Sequence, residues 1–203
     1  MDALLLVDVQ NDFLPGGALA VPEGDKIIPV LNRISKKFPL VVATQDWHPQ
    51  DHGSFASNHP GKNEFEQTQL GGLDQILWPD HCVQGQKGAD FSSELEMHLV
   101  EAIFRKGTDT GIDSYSGFFD NGKKKSTGLG DYLKGRGVTR VFIGGLAADF
   151  CVGFTTLDSL GLGFDTNLIE DATRPIDKKG WENMKKTVLK NGGKIILSEE
   201  ISE

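Results

Sequence analysis

The strongest constraint on this chain is a set of short apolar runs without polar alternation. They fall at residues 3–9, 40–44, 101–104, 140–144, 165–169 and 194–197 and are rich in Val, Ile and Leu. Such runs are expected of parallel strands covered on both faces. The stretches between them read as helices. Residues 25–38 carry Ile27, Leu31, Ile34 and Phe38 at helical spacing, with Asp25 as the expected N-cap. Residues 126–135 end in glycine, residues 151–160 follow a small-residue turn, and residues 178–191 place Trp181, Met184 and Val188 on one face. Strand–helix alternation with short connectors predicts a doubly wound α/β fold: a six-stranded, mostly parallel sheet with helices on both faces. At 203 residues, 38% of them hydrophobic, the chain reads as one domain over 1–203.

Net charge narrows the partners. At −8, the chain lacks the clustered cations that nucleic acid or an acidic membrane requires. The basic run Lys123-Lys124-Lys125 follows Asn121-Gly122 and reads as a solvated loop tip. No apolar run reaches membrane-spanning length, and Met1-Asp2-Ala3 leads into a strand without a signal peptide. With only Cys82 and Cys151, the expected setting is the reducing cytoplasm, where a cysteine is structural, metal-binding or catalytic.

Open parallel sheets place ligands beyond the carboxyl ends of their strands, so the residues there carry the functional reading. The first strand runs into Asp8 inside an apolar stretch; a carboxylate there must be paired or its pKa rises. The second ends in Asp46-Trp47-His48, whose outer two residues point the same way in extended chain and make half of a divalent metal site. His52, Ser54, His59 and His81 are further candidates, and three of the five histidines fall between His48 and His59. Read blandly, these are loop surface residues. The third and fourth strand ends hold Lys106-Gly107 and the turn Gly144-Gly145-Leu146-Ala147-Ala148 that leads to Cys151. A lysine there pairs with a carboxylate, holds an anion or snorkels. A cysteine opening a helix gains thiolate character from the helix N-terminus, whose N–H groups also suit an oxyanion; otherwise it is a buried packing residue. The segment 46–99 is long, with little periodicity, and a loop of that length inside a domain is usually functional.

An Asp, a Lys and a Cys after three strands of one sheet supply a base, a cation and a thiol, the parts of nucleophilic amide hydrolysis. On these residues the chain resembles the nicotinamidase (pyrazinamidase) branch of the isochorismatase-like cysteine hydrolases. The segments that carry the likeness are Val7–Phe13, Thr44–Pro49, Trp78–Val83, Phe104–Gly107 with Tyr115–Phe118, and Gly145–Val152. The resemblance implies a catalytic triad of Cys151, Asp8 and Lys106. It implies a divalent metal, zinc before iron or manganese, on Asp46, His48 and His81, with His52 or Ser54 open as a fourth ligand. It further implies a cis peptide at Leu146–Ala147, an oxyanion hole from the N–H groups of Ala147 and Cys151, and substrate contacts from Phe13, Trp78 and Tyr115. Many relatives carry Thr where Ala148 stands, and Cys82 matches a packing position. The implied reaction is nicotinamide hydrolysis in NAD salvage, in an enzyme that is often a homodimer. Two other readings stay open: a related amidase for a carbamoyl or ureido substrate, and a non-catalytic α/β module that binds a small ligand.

Overall fold

The computed structural model describes residues 1–202. Strand β1 (Asp2–Val7) lies at the centre of a six-stranded sheet. β2 (Val41–Asp46) and then β5 (Ala102–Lys106) flank it on one side; β6 (Arg140–Leu146), β7 (Asp165–Arg174) and β8 (Lys194–Ile196) follow on the other. Every pairing in this sheet is parallel. The order β5-β2-β1-β6-β7-β8 reverses direction at β1, so the carboxyl ends of β1, β2 and β6 border the crevice where such sheets bind ligands.

Alternate residues of β1 feed two cores. Leu4 and Leu6 pack with Leu31 and Ile34 of α1 (Ile28–Ser35) on one face. Ala3, Leu5 and Val7 pack on the other with Leu133 of α2 (Leu129–Gly135), Val152 before α3 (Gly153–Gly161), and Trp181 and Val188 of α4 (Lys178–Lys190). Burying each such aliphatic side chain contributes about 1.5–3 kcal/mol. The doubly wound α/β reading therefore holds, with a sheet that is wholly rather than mostly parallel.

The element boundaries correct the sequence reading in four places. Asp25 does not cap α1: a 3-10 turn, Gly24–Ile27, comes first, and the helix starts at Ile28. Pro29 explains this, because its ring would meet the carbonyl four residues back in a helix begun at Asp25. Helix α2 starts at Leu129, after Gly128 in the left-handed region; Ser126 and Thr127 instead accept the N–H groups of Gly128 and Leu129 in short turns. Cys151 does not open an α-helix but sits in a π-helical turn, Ala148–Val152, just before α3. Within 46–99 the chain forms an antiparallel hairpin, β3 (Gln67–Leu70) and β4 (Leu73–Ile76), whose mostly polar, exposed residues give no strand signal.

Candidate active site

Four strand ends bring the expected chemistry together. Asp8 follows β1 at φ 49°, Asp46 and Lys106 close β2 and β5, and β6 runs into the turn that carries Cys151. Asp46 and Lys106 are register partners across the β2–β5 pairing. Gly145 lets β6 reach this point: at φ 132°, a Cβ there would lie 2.0 Å from the carbonyl oxygen of Val7, the residue before Asp8. The peptide Leu146–Ala147 is cis.

Lys106 is the hub. Its Nζ lies 2.8 Å from Asp8 Oδ2 and 2.8 Å from Asp46 Oδ1, and it donates to Ser114 O at 3.0 Å and to Cys151 Sγ at 3.5 Å. Asp8 Oδ1 accepts from Thr44 Oγ1 at 2.6 Å. Asp8 Oδ2 faces Lys106 Nζ and has no other partner among the described residues. Oxygens of Asp8 and Asp46 and the Cys151 sulfur all lie within 4.8 Å of one another. One buried cation thus stands among two carboxylates and a thiol.

Burial sets the protonation states. It disfavours the Lys106 charge, but Asp46 and Asp8 outweigh it and hold the ammonium well above the ordinary lysine range. Burial also pushes up the Asp8 carboxyl, further than Lys106 pulls it down. Asp46 is buried as deeply, yet His48 and Lys106 together overcome that and keep it well below the usual range. The Cys151 thiol is driven well above the ordinary cysteine value by burial, which outweighs Lys106, and Asp8 and Asp46 add to the rise. This differs from the thiolate expected at a helix N-terminus: desolvation is the largest influence on the sulfur and outweighs Lys106, with the two carboxylates adding to it. Burial thus favours the neutral thiol, beside an Asp8 carboxylate held by Lys106 and Thr44.

Asp46, His48 and His81 form a second convergence, with one ligand atom each within 4.8 Å of the others. His48 Nδ1 lies 2.9 Å from Gly107 O, and His81 Nδ1 lies 2.8 Å from Pro79 O. A carbonyl only accepts, so both Nδ1 atoms carry a proton, and each Nε2 is the atom that would offer a lone pair to a bound cation. The two Nε2 atoms face Asp46 Oδ2 at 3.2 and 3.5 Å. Three electron-pair donors aimed at one point suit a divalent cation. Gly107 keeps the arrangement close: at φ 65°, a Cβ would lie 2.4 Å from the His48 ring. His52 and Ser54 stand outside this set. His52 Nδ1 meets Ser54 Oγ at 2.7 Å and accepts from Ser54 N at 3.2 Å. Its buried Nε2 has no hydrogen-bond partner among the described residues, and burial with the nearby His48 lowers its pKa to about 4. His59 bonds Gly53 O and takes no part.

A small cavity opens onto both clusters. Phe13, Trp78, Tyr115 and Phe150 give it aromatic walls, and Asp46, His81, Ala147 and Cys151 also line it. Phe13, Trp78, Tyr115, Ala147 and Cys151 were read from sequence; Leu19, Asp113, Phe150 and Ile176 were not. Phe150 had a signal, being next to the cysteine. Asp113 had none, since it comes from a loop whose path depends on the hairpin. Phe150 and Val152 both donate to Ala147 O.

A buried thiol, a carboxylate and an ammonium at the carboxyl edge of a parallel sheet define a cysteine-hydrolase type of site. The isochorismatase domain model matches residues 2–200, and the chain belongs to that family. It is 49% identical to the nicotinamidase of Escherichia coli (strain K12) over 179 residues, 86% of this chain and 84% of that protein. Its structure is similar to that of an Acinetobacter baumanii nicotinamidase/pyrazinamidase, with a TM-score of 0.96 and 46% identity over 98% of this chain and 97% of that one. It is also similar to the pyrazinamidase of Pyrococcus horikoshii in complex with zinc, with a TM-score of 0.79 and 40% identity over 97% and 98% of the two chains.

Proposed function

We propose that this chain is a metal-assisted cysteine amidase that hydrolyses nicotinamide to nicotinate and ammonia, and accepts pyrazinamide as an analogue. The observation that carries this reading is the joint presence, on one aromatic-walled cavity, of the Cys151–Asp8–Lys106 cluster and the Asp46–His48–His81 donor set. An amidase for a ureido substrate would leave that donor set unused.

Asp46, His48 and His81 would hold the ion, zinc first and iron or manganese as alternatives, with His52 closest to serving as a further contact, because its Nε2 is buried and unpartnered. When bound, the ion offers a Lewis-acidic position that orients a pyridine nitrogen. Phe13, Trp78 and Tyr115 close on the ring and exclude water. Asp8, within 4.8 Å of the sulfur, takes the Cys151 proton as the sulfur attacks the carboxamide carbon. Lys106 balances the negative charge that passes between sulfur and carboxylate. The N–H groups of Ala147 and Cys151 receive the oxyanion, worth about 3 kcal/mol per donor by analogy with known oxyanion holes. Asp8 returns the proton to the departing ammonia, leaving a Cys151 thioester. Asp8 then deprotonates the water that hydrolyses it. The raised pKa of Asp8 suits both roles, since a group that titrates nearer the working pH can both take and return a proton. The reducing cytoplasm, where both cysteines stay free, is the setting that fits a thiol nucleophile.

The test is ammonia release from nicotinamide with metal content measured on the same sample. Cys151→Ala should abolish turnover while nicotinate still binds. Turnover at the wild-type rate in that variant, or none from the wild-type protein carrying metal, overturns the proposal.

A further inference from the structure

Gln10, two residues after Asp8, is fully buried. The pairing of β1 with β2 ends at Val7 and Thr44. Beyond it one bond runs from Asp8 N to Thr44 O at 3.3 Å, and Asp8 then turns into the left-handed region at φ 49°. On β2, Thr44 O faces β1, while Trp47 N bonds Lys106 O of β5 on the other side. The main-chain groups of Asp46 face the side that β1 has left, and buried backbone groups need partners. The Gln10 amide stands in for the missing strand. Its Oε1 accepts from Asp46 N at 2.8 Å, and its Nε2 donates to Asp46 O at 2.8 Å and to Ala89 O at 2.8 Å. A main-chain carbonyl only accepts and a main-chain N–H only donates, which fixes the amide orientation. Two amide protons meet two carbonyls, and the amide oxygen meets one N–H.

We propose that Gln10 is a positioning residue whose amide fixes the main chain of Asp46, and through it the carboxylate on which Lys106, His48 and His81 converge. The inference rests on the metal-assisted amidase reading and deepens it. Asp46 belongs to both clusters: Oδ1 lies 2.8 Å from Lys106 Nζ, and Oδ2 lies 3.2 and 3.5 Å from the Nε2 atoms of His48 and His81. Those three partners have anchors of their own. His48 Nδ1 bonds Gly107 O, His81 Nδ1 bonds Pro79 O, and Lys106 Nζ bonds Ser114 O. Both carboxylate oxygens of Asp46 are turned to these partners, so its direction depends on its main chain, which Gln10 grips at N–H and C=O alike. Without the amide, two buried main-chain groups lose their partners, and the end of β2 shifts or admits water to restore them. The carboxylate then leaves the point at which the imidazoles aim. Groups that orient a metal ligand are typically worth roughly 10- to 100-fold in metal affinity.

The variants are Gln10→Met, near in shape but without the amide, and Gln10→Asn, whose amide is set back from Asp46 by one methylene. Val188→Ala, in the core beside Gly193 at the far end of α4, is the comparator that loses stability without touching the site. Zinc affinity is measured on each full chain by competition with a chromophoric chelator, at a temperature where circular dichroism shows the zinc-free protein fully folded. Both Gln10 variants should bind zinc roughly 10- to 100-fold more weakly than wild type, and Val188→Ala should bind it as wild type does. Wild-type zinc affinity in a folded Gln10 variant overturns the inference, because the amide then only holds the fold together. An equal loss in Val188→Ala also overturns it, because any loss of stability would then suffice. If Gln10→Met does not fold, Gln10→Asn decides alone by the same criterion. Failure of the amidase reading looks different: the zinc-loaded wild-type protein itself would release no ammonia from nicotinamide.

Discussion

Lys106→Met removes the cation at the centre of the site while keeping an unbranched apolar side chain. In the wild type, Nζ lies 2.8 Å from both Asp8 Oδ2 and Asp46 Oδ1, and the side chains of all three residues are at most 5% exposed. Removing one partner of a buried ion pair costs about 3–5 kcal/mol, because the charge left behind has lost its compensation. Here two carboxylates lose it together, so with metal chelated the upper part of that range, about 4–5 kcal/mol, is expected. For a chain of this size each kcal/mol moves Tm by about 2–4 °C, which gives a fall of roughly 8–20 °C. The loss carries a pH signature. Asp8 already has a raised folded pKa, and without the ammonium it rises further. A carboxyl raised above its unfolded value gives its full stabilisation below the unfolded value, near 4, and loses it as pH climbs through the folded one. The deficit relative to wild type should therefore be smallest at about pH 5 and widen toward about pH 8. Thermal melts of both proteins in chelator across that range are the assay. A Tm within about 2 °C of wild type throughout, or a deficit that widens on acidification, would refute the claim that Lys106 compensates these carboxylates.

Two further substitutions probe the same edge of the sheet. Thr44→Val removes the 2.6 Å hydrogen bond to Asp8 Oδ1, which favours the charged carboxylate; its loss should move the acid limb of kcat/KM to higher pH, and an unmoved limb would remove Asp8 from the role of base. Gly145→Ala forces a Cβ to within 2.0 Å of Val7 O at φ 132°; urea unfolding should show a loss of roughly 2–6 kcal/mol from strain and overpacking, and a loss below about 1 kcal/mol would mean that β1 and β6 are free to separate there.

The sequence carries the sheet because burial on both faces leaves a signature that needs no knowledge of the partner strands. Leu4, Leu5 and Leu6 are buried whichever face each meets. Boundaries are less legible where local chemistry competes: Pro29 pushes the start of α1 past Asp25, and Ser126 and Thr127 spend their hydroxyls on turns before α2. The hairpin β3–β4 is silent because its stabilising contacts are remote. Gly53, in the histidine-rich loop, packs against Leu70 so closely that a Cβ would lie 2.5 Å from its side chain, and Gln75 reaches Asp113 and Tyr115. Neither contact shows in a window of neighbouring residues.

The site divides along the same line. Its ligand-bearing side chains are legible one by one, as an Asp, a Lys, a Cys and an Asp-x-His after successive strands. Their electrostatics are not, because a pKa depends on who stands next to whom. Cys151 read alone promises a thiolate; placed within 4.8 Å of oxygens of Asp8 and Asp46, it is a buried thiol that resists ionisation. That difference constrains the chemistry. A resting thiolate would need no base at the moment of attack, whereas a resting thiol needs one within reach. An Asp8 oxygen lies within 4.8 Å of the sulfur, and burial lifts the carboxylate's affinity for a proton. The surroundings that hold the thiol neutral therefore also prepare its base. Sulfur and carboxylate become chemically matched only when strands far apart in the chain are folded side by side.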